Sequence, residues 1–146
     1  MATRKDPFRG FKFRVQLDGV ERAGFREASG LDAATDAVDY REGDDLTATI
    51  RKLPGLKKFS SITLKWGVTD DLALWNWRKE IMDGKINEAR KNGSVILMDD
   101  LNNDVAQWDF VAAWPTKWTG PGFNATTSEV AIDTLEITHE GLDRTK

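Results

Sequence analysis

The chain has 146 residues, 40% hydrophobic and 31% charged, which fits one soluble domain around one core. A formal net charge of −3 gives no footing for phosphate-driven nucleic-acid binding, and the lack of cysteine excludes disulfides, thiol catalysis and cysteine metal sites. No apolar run approaches the roughly 20 residues of a bilayer span, and the charged start MATRKDPFRG lacks the apolar stretch of a Sec-type signal.

The protein is therefore expected to stay in the cytoplasm, or to leave it by a route its own sequence does not encode. Six tryptophans and seven phenylalanines against one tyrosine point to a core or interface made of large flat side chains.

Residues 11–17 (FKFRVQL) alternate cleanly. Phe11, Phe13, Val15 and Leu17 take one face, and Lys12, Arg14 and Gln16 take the other. Asp18-Gly19 favours a two-residue hairpin turn, so a partner strand is predicted over 20–27, weakened by Gly24. A strand over 36–41 puts Val38 and Tyr40 on one face. Residues 41–58 are polar and weakly periodic and read as a long loop or projecting hairpin. Pro54-Gly55 is a turn signal within it, flanked by Leu53 and Leu56. Over 59–66 alternation returns, with Ile62, Leu64 and Trp66 opposed by Thr63 and Lys65.

One helix is predicted, over residues 69–85 (TDDLALWNWRKEIMDGK). Thr69 or Asp70 offers a side-chain oxygen as N-cap, and Asp70 and Asp71 place negative charge in the first turn. Leu72, Trp75, Lys79 and Met82 form one row, and Leu74, Trp77 and Ile81 form the adjoining one. Gly84 suits the left-handed residue that ends a helix. Beyond it, 94–98 (SVILM) is a short apolar strand. Residues 105–114 form the next, with Trp108, Phe110, Ala112 and Trp114 on one face and Pro115 ending it. After the Gly/Pro/Asn-rich stretch 119–127, the last strand covers 129–139. There Val130 and Ile132 conflict in parity with Leu135 and Ile137, which a bulge near Asp133-Thr134 would resolve.

Candidates for chemistry are few. His139 is the single histidine, which excludes a polyhistidine metal site or a histidine triad, and its place at a strand end suits hydrogen bonding. Asp99 with Asp100, and Asp44 with Asp45, sit among turn residues, where aspartates bond their own backbone. Gly120 and Gly122 precede no strand-to-helix junction, so they do not form a phosphate loop. Tryptophans 75, 77, 108 and 114 fit buried faces, and Trp118 is kept as a surface contact. No enzyme activity, cofactor or metal is expected.

Several stretches carry a resemblance over nearly the whole chain. They are PFRGFKFRVQLDG from Pro7, FREASGLD from Phe25, YREG from Tyr40, KLPGLKKFSSITLKWGVT from Lys52, LWNWRKEIMDGK in the helix, and WDFVAAWPTKWTGPGFNATTSEVAIDTLEITHEGL to the C-terminal region. In these the chain resembles the tail tube proteins of contractile phages, and more closely the inner-tube proteins of phage-tail-like contractile injection systems. KLPG and AWPxKW are the most specific matches. The loop over 44–50, which has no proline, departs from the pattern.

The resemblance implies a mainly-β, two-sheet β-barrel or sandwich with one α-helix, similar to the type VI secretion ring protein. It implies homohexameric rings stacked into a hollow tube, with a sheath protein, baseplate and terminal cap proteins as partners and cargo or DNA in the lumen. Such a particle is assembled in the cytoplasm and becomes an injection particle or virion tail. Two readings stand beside the injection-system tube: a phage tail tube passing DNA, and a small β-barrel ligand-binding module using Trp114 and Trp118.

On the tube reading, the projection bearing Arg41, Glu42, Gly43, Lys52, Leu53, Pro54, Gly55 and Leu56 is expected to stack ring on ring. The helix is expected to be anchored by Leu72, Trp75 and Trp77, Trp75 foremost. Polar strand positions, among them Lys12, Arg14, Lys65 and Asp109, are candidates for the lumen or the sheath-facing side. Gln16, Thr63, Gln107, Glu136 and Thr138 are in the same class, and periodicity does not divide them.

Overall fold

A computed structural model of the chain describes residues 6, 12–18, 20–22, 24–41, 43, 50–126 and 129–146. Its elements are β1 (Phe13–Leu17), β2 (Val20–Arg22), β3 (Phe25–Ser29), β4 (Ala33–Tyr40), β5 (Arg51–Phe59), β6 (Ile62–Gly67), α1 (Ala73–Met82), α2 (Ile86–Ala89), β7 (Lys91–Met98), β8 (Asp104–Thr119), β9 (Ile132–Thr138) and β10 (Gly141–Arg144). The main sheet runs β2-β1-β7-β8-β9-β6-β3, with β10 also on β8, and β4 and β5 form a separate ribbon. The pairings are antiparallel.

Strand β8 turns this one sheet into two layers. Its first part pairs with β7 and β10, and its last part pairs with β9. In between, Ala112 has φ 51°, its N–H bonds Asn92 Oδ1 at 3.0 Å, and the register against β7 gains a residue. This bulge bends the strand and flips its phase: Ala106 and Phe110 are buried before it, Ala113 and Pro115 after it. Ala112 and Trp114 therefore do not share the Phe110 face, and Pro115 does not end the strand. Past β7, β8 keeps one strand neighbour among the described residues, β9, an edge position that tolerates proline.

The two layers face each other across a single core. Val15, Leu17, Val95 and Phe110 come from one, and Phe25, Ile62, Leu64, Trp66, Leu135 and Ile137 from the other. Their period-two spacing along the strands is what buries them together, and each contributes about 1.5–3 kcal/mol when fully buried.

Several expected boundaries shift. Gly24, at φ 90°, separates β2 from β3, and β3 leaves β1 to pair with β6. Val130 lies before β9, exposed, and β9 pairs with β6 without a break, so no bulge is needed near Asp133-Thr134. The irregularity sits on the partner, between Pro115 and Lys117 of β8. Residues 41–58 are not a loop throughout, because β5 takes in the stretch from Arg51 onward. Pro54-Gly55 lies mid-strand at a bulge opposite Asp36, where a Cβ on Gly55 would stand 2.8 Å from Val38 Cγ2. Only a glycine fits there unstrained.

Helix α1 begins at Ala73, later than Thr69 or Asp70. Thr69 Oγ1 accepts the Asp71 N–H at 3.3 Å and Asp71 Oδ1 accepts the Ala73 N–H at 3.0 Å. These oxygens build the turns that lead into the helix, so the carboxylates precede its first turn. Gly84, at φ 81°, ends it, its N–H bonding the Ile81 carbonyl. The row Leu74, Trp77, Ile81 faces the core. Leu74 and Trp77 are 2% and 3% exposed, and Trp77 Nε1 donates to the Ala89 carbonyl of α2 at 2.5 Å. The adjoining row points outward, with Leu72 59% and Trp75 39% exposed. Trp77, and not Leu72 or Trp75, is the buried anchor.

Candidate functional site

Among the described residues, no three His, Asp or Glu side chains gather to hold a metal ion, and no helix is long and apolar enough to cross a membrane. Asp99 is a turn residue: its Oδ1 accepts the N–H groups of Leu101 and Asn103, both at 2.9 Å. The Asn103 backbone bond holds its carboxyl below the usual aspartate range. Asp44, Asp45 and Glu42 lie outside the described residues. The ring nitrogens of His139 sit 3.1 Å from the Gly141 and Ser60 carbonyl oxygens. Gly120 and Gly122 precede β9, with no helix between among the described residues.

What the fold does assemble is surface. On the outer side of β1, β7 and β8, Arg14 clasps Asp104 through two bonds, Nη1–Oδ1 at 2.7 Å and Nη2–Oδ2 at 2.9 Å. Beside it Ser94 Oγ and Gln107 Nε2 donate to Asp109 Oδ1 at 2.5 and 2.8 Å. Lys12, in phase with Arg14, precedes β1, and its carbonyl accepts the Met98 N–H at 2.9 Å. Lys65 is elsewhere, on the outer side of the second layer, 3.5 Å from Glu27 of β3. Thr63 and Lys117 both register against Glu136 on that side. The structure thus separates Lys12, Arg14 and Asp109 from Lys65, a division that alternation along single strands does not contain.

Burial opposes the charge of Asp109, but hydrogen bonds from Ser94, Gln107 and Thr145 outweigh it and hold its carboxyl below the usual aspartate range. A depressed folded-state value contributes stability above the unfolded aspartate range, near pH 4, and loses it as pH falls through the folded value. Acid titration of the folded protein should therefore show less loss of stability in Asp109→Asn than in the parent below about pH 4. Parallel acid curves for the two would remove the role assigned to this carboxylate.

The β4–β5 ribbon is the second surface. Register pairs Val38 with Leu53 and Tyr40 with Arg51, placing them on one face, and Val38, Tyr40, Leu53 and Leu56 are all exposed. Lys52 pairs with Asp39, and Lys58 with Asp36 at 3.2 Å. Arg41 and Gly43 lie exposed beyond β4. A third surface surrounds Trp118, which stands edge-on between buried Trp66 and exposed Trp75, with ring centroids 5.2 and 5.1 Å away. Trp118 is half-buried and packs against the core cluster, and Trp75 is the exposed tryptophan. The burial of a later strand decides this, and it leaves no mark on the local sequence.

A two-layer antiparallel barrel carrying one substantial helix and an exposed apolar ribbon defines a tail-tube-like β protein. The match of residues 9–143 to the family described as T4-like virus tail tube protein gp19 places it further: the chain belongs to that family.

Solved structures agree. A chain of the extracellular contractile injection system "PVC sheath-tube complex in extended state" is 26% identical, with TM-score 0.82, covering 95% of this chain and 91% of that one. A chain of the anti-feeding prophage cap, its tube terminating cap, is 27% identical with TM-score 0.82, covering 99% and 95%. Hcp1 from Flavobacterium johnsoniae, at 16% identity and TM-score 0.56 over 92% and 95%, shares the fold. No curated protein sequence matches the chain.

Proposed function

We propose that the chain forms homohexameric rings that stack into the hollow inner tube of a contractile injection system, a rigid conduit driven through a target envelope by sheath contraction. The observation that carries this reading is the tail tube family match over residues 9–143. Physical reasons support it. The sheet ends in strands β2 and β3, whose outer edges have no strand neighbour among the described residues. Open edges of this kind pair readily with other chains, and edge-to-edge contacts repeated by a fixed rotation close into a ring.

The partners are a surrounding sheath protein, a baseplate and a terminal cap, with cargo in the lumen, and the subunits assemble in the cytoplasm before joining the particle. The protein acts as a structural element and not as an enzyme. The family description favours one second reading, a phage tail tube whose lumen passes DNA. In either case the layer bearing Lys12, Arg14 and Asp109 and the layer bearing Lys65 divide lumen from sheath side, and every exposed charge recurs around each ring. The mixed signs of both layers suit a channel through which cargo slides.

Negative-stain microscopy of the purified protein tests this directly: rings or tubes are expected, and a population of monomers alone would overturn it. Deleting Lys52–Leu56 removes five residues of β5 without touching the buried cluster, and should leave single rings that no longer stack. Lys12→Cys and Lys65→Cys tubes should differ strongly in their rate of labelling by a bulky maleimide. Equal, rapid labelling would mean that no channel is enclosed.

A further inference from the structure

The β4–β5 ribbon meets the barrel at a narrow root. Its strands pair with each other and with no further strand among the described residues, and a two-stranded ribbon is marginal by itself in water. What holds the root therefore decides where the ribbon stands. The root includes the turn Ser60-Ser61 between β5 and β6, where Gly30 runs so close that a Cβ there would stand 2.0 Å from the Ser61 carbonyl oxygen. His139, the single histidine of the chain, reaches the same turn from between β9 and β10.

Two carbonyls and two phenyl rings surround the imidazole. Nδ1 stands 3.1 Å from the Gly141 carbonyl oxygen, and Nε2 stands 3.1 Å from that of Ser60. Phe59, the last residue of β5, and core Phe110 pack on the ring with centroids 5.6 and 6.2 Å away. A backbone carbonyl oxygen only accepts, and a neutral imidazole carries a single N–H. A neutral ring therefore serves one carbonyl and turns a nitrogen lone pair on the other. Only the imidazolium donates to both. The Gly141 contact is local and part-buried, whereas Ser60 is reached across 79 residues and its contact is exposed, so water replaces the Ser60 bond at the lower cost.

Among the described residues, no ionisable side chain is bonded to this ring. Charged groups of the elements packed around it are engaged elsewhere: Lys58 of β5 with Asp36, Asp109 of β8 with Ser94 and Gln107, and Arg144 of β10 over the Trp108 ring. Lys57, Glu140 and Asp143 are exposed. We infer that His139 is a pH-sensitive latch on the ribbon: with both nitrogens protonated it ties Ser60 to Gly141 and holds the ribbon root against the barrel, and in its neutral form it releases Ser60. The added bond stabilises the fold below the ordinary histidine range, about pH 6.5, and is lost as pH rises through it. The latch lies within one subunit, so it acts with or without assembly.

Between about pH 5 and 8, histidine is the one side chain whose ordinary titration falls in range, and this chain has one. On going from the alkaline to the acid end, melting of the parent should rise by about 2–4 °C relative to His139→Gln and His139→Phe, the worth of one hydrogen bond in a chain of this length. His139→Phe keeps an aromatic ring between Phe59 and Phe110, and His139→Gln keeps a polar side chain, so either carries the comparison if the other folds poorly. Spin labels on Lys57→Cys and Lys117→Cys, both exposed, report the ribbon itself without a cysteine background. Their distance distribution should be narrower at the acid end than at the alkaline end, and alike at both ends once His139→Phe is added. Melting profiles that run parallel in parent and variants across this range would overturn the latch. A label distribution that ignores pH in the parent background would overturn it equally, because the histidine would then not hold the ribbon.

Discussion

Trp77→Ala should cost about 3–5 kcal/mol of stability, the range for deleting a large buried aromatic side chain. Trp77 is 3% exposed, packs into the cluster shared by both layers and ties α1 to α2 through its bond to the Ala89 carbonyl. Its loss opens a cavity and also leaves that carbonyl without its donor. Thermal melting should fall by roughly 10 °C, at the few degrees per kcal/mol usual for a chain of this length. Trp77→Phe separates the two effects: it keeps most of the packing and loses the bond, at a cost of about 1–3 kcal/mol. Trp75→Ala is the contrast. Trp75 lies on the outward row, so its removal should cost the subunit far less while weakening tube assembly. If the two alanine variants melted together, the orientation given to α1 would be wrong.

Gly30→Ala should be the most damaging glycine substitution among the described residues. Gly30 has φ 91°, and a Cβ there would stand 2.0 Å from the Ser61 carbonyl oxygen. That oxygen belongs to backbone next to Ile62, a fully buried core residue, so it has little room to withdraw. Gly24, at φ 90°, has open space around its Cβ position and so isolates the backbone cost alone. Gly24→Ala should lose about 1–2 kcal/mol, the price of a left-handed L-residue. Gly30→Ala should exceed about 4 kcal/mol, a loss large enough to point to a specific clash. Denaturant unfolding of the pair provides the measurement. Comparable midpoints would mean that the Gly30–Ser61 approach does not constrain the fold.

Much of this protein was legible in the residues themselves. Alternation at Phe13–Leu17 and Ile62–Gly67, the apolar run in β7 and the rows of α1 are local patterns, because a strand or a helix places neighbouring side chains by its own geometry. The same holds for Gly84, whose left-handed turn needs no distant partner, and for the quoted stretches that carried the tail tube resemblance. The lack of clustered histidine and cysteine followed from counting.

What only the tertiary structure decided depends on contacts far apart in sequence. The sequence offers two apolar rows on α1, and only the position of β8 selects Leu74 and Trp77 over Leu72 and Trp75 for the core. Ala112 carries no bulge signature, yet the bend it makes lets one strand serve two layers and carries β8 through Pro115. Pro54-Gly55 reads as a turn, since turn chemistry is local, but pairing with β4 across more than a dozen residues draws it into a strand. The separation of Lys65 from Lys12, Arg14 and Asp109 follows the same rule. Alternation assigns each side chain to a face of its own strand, and only the order in which strands join decides which faces become one surface.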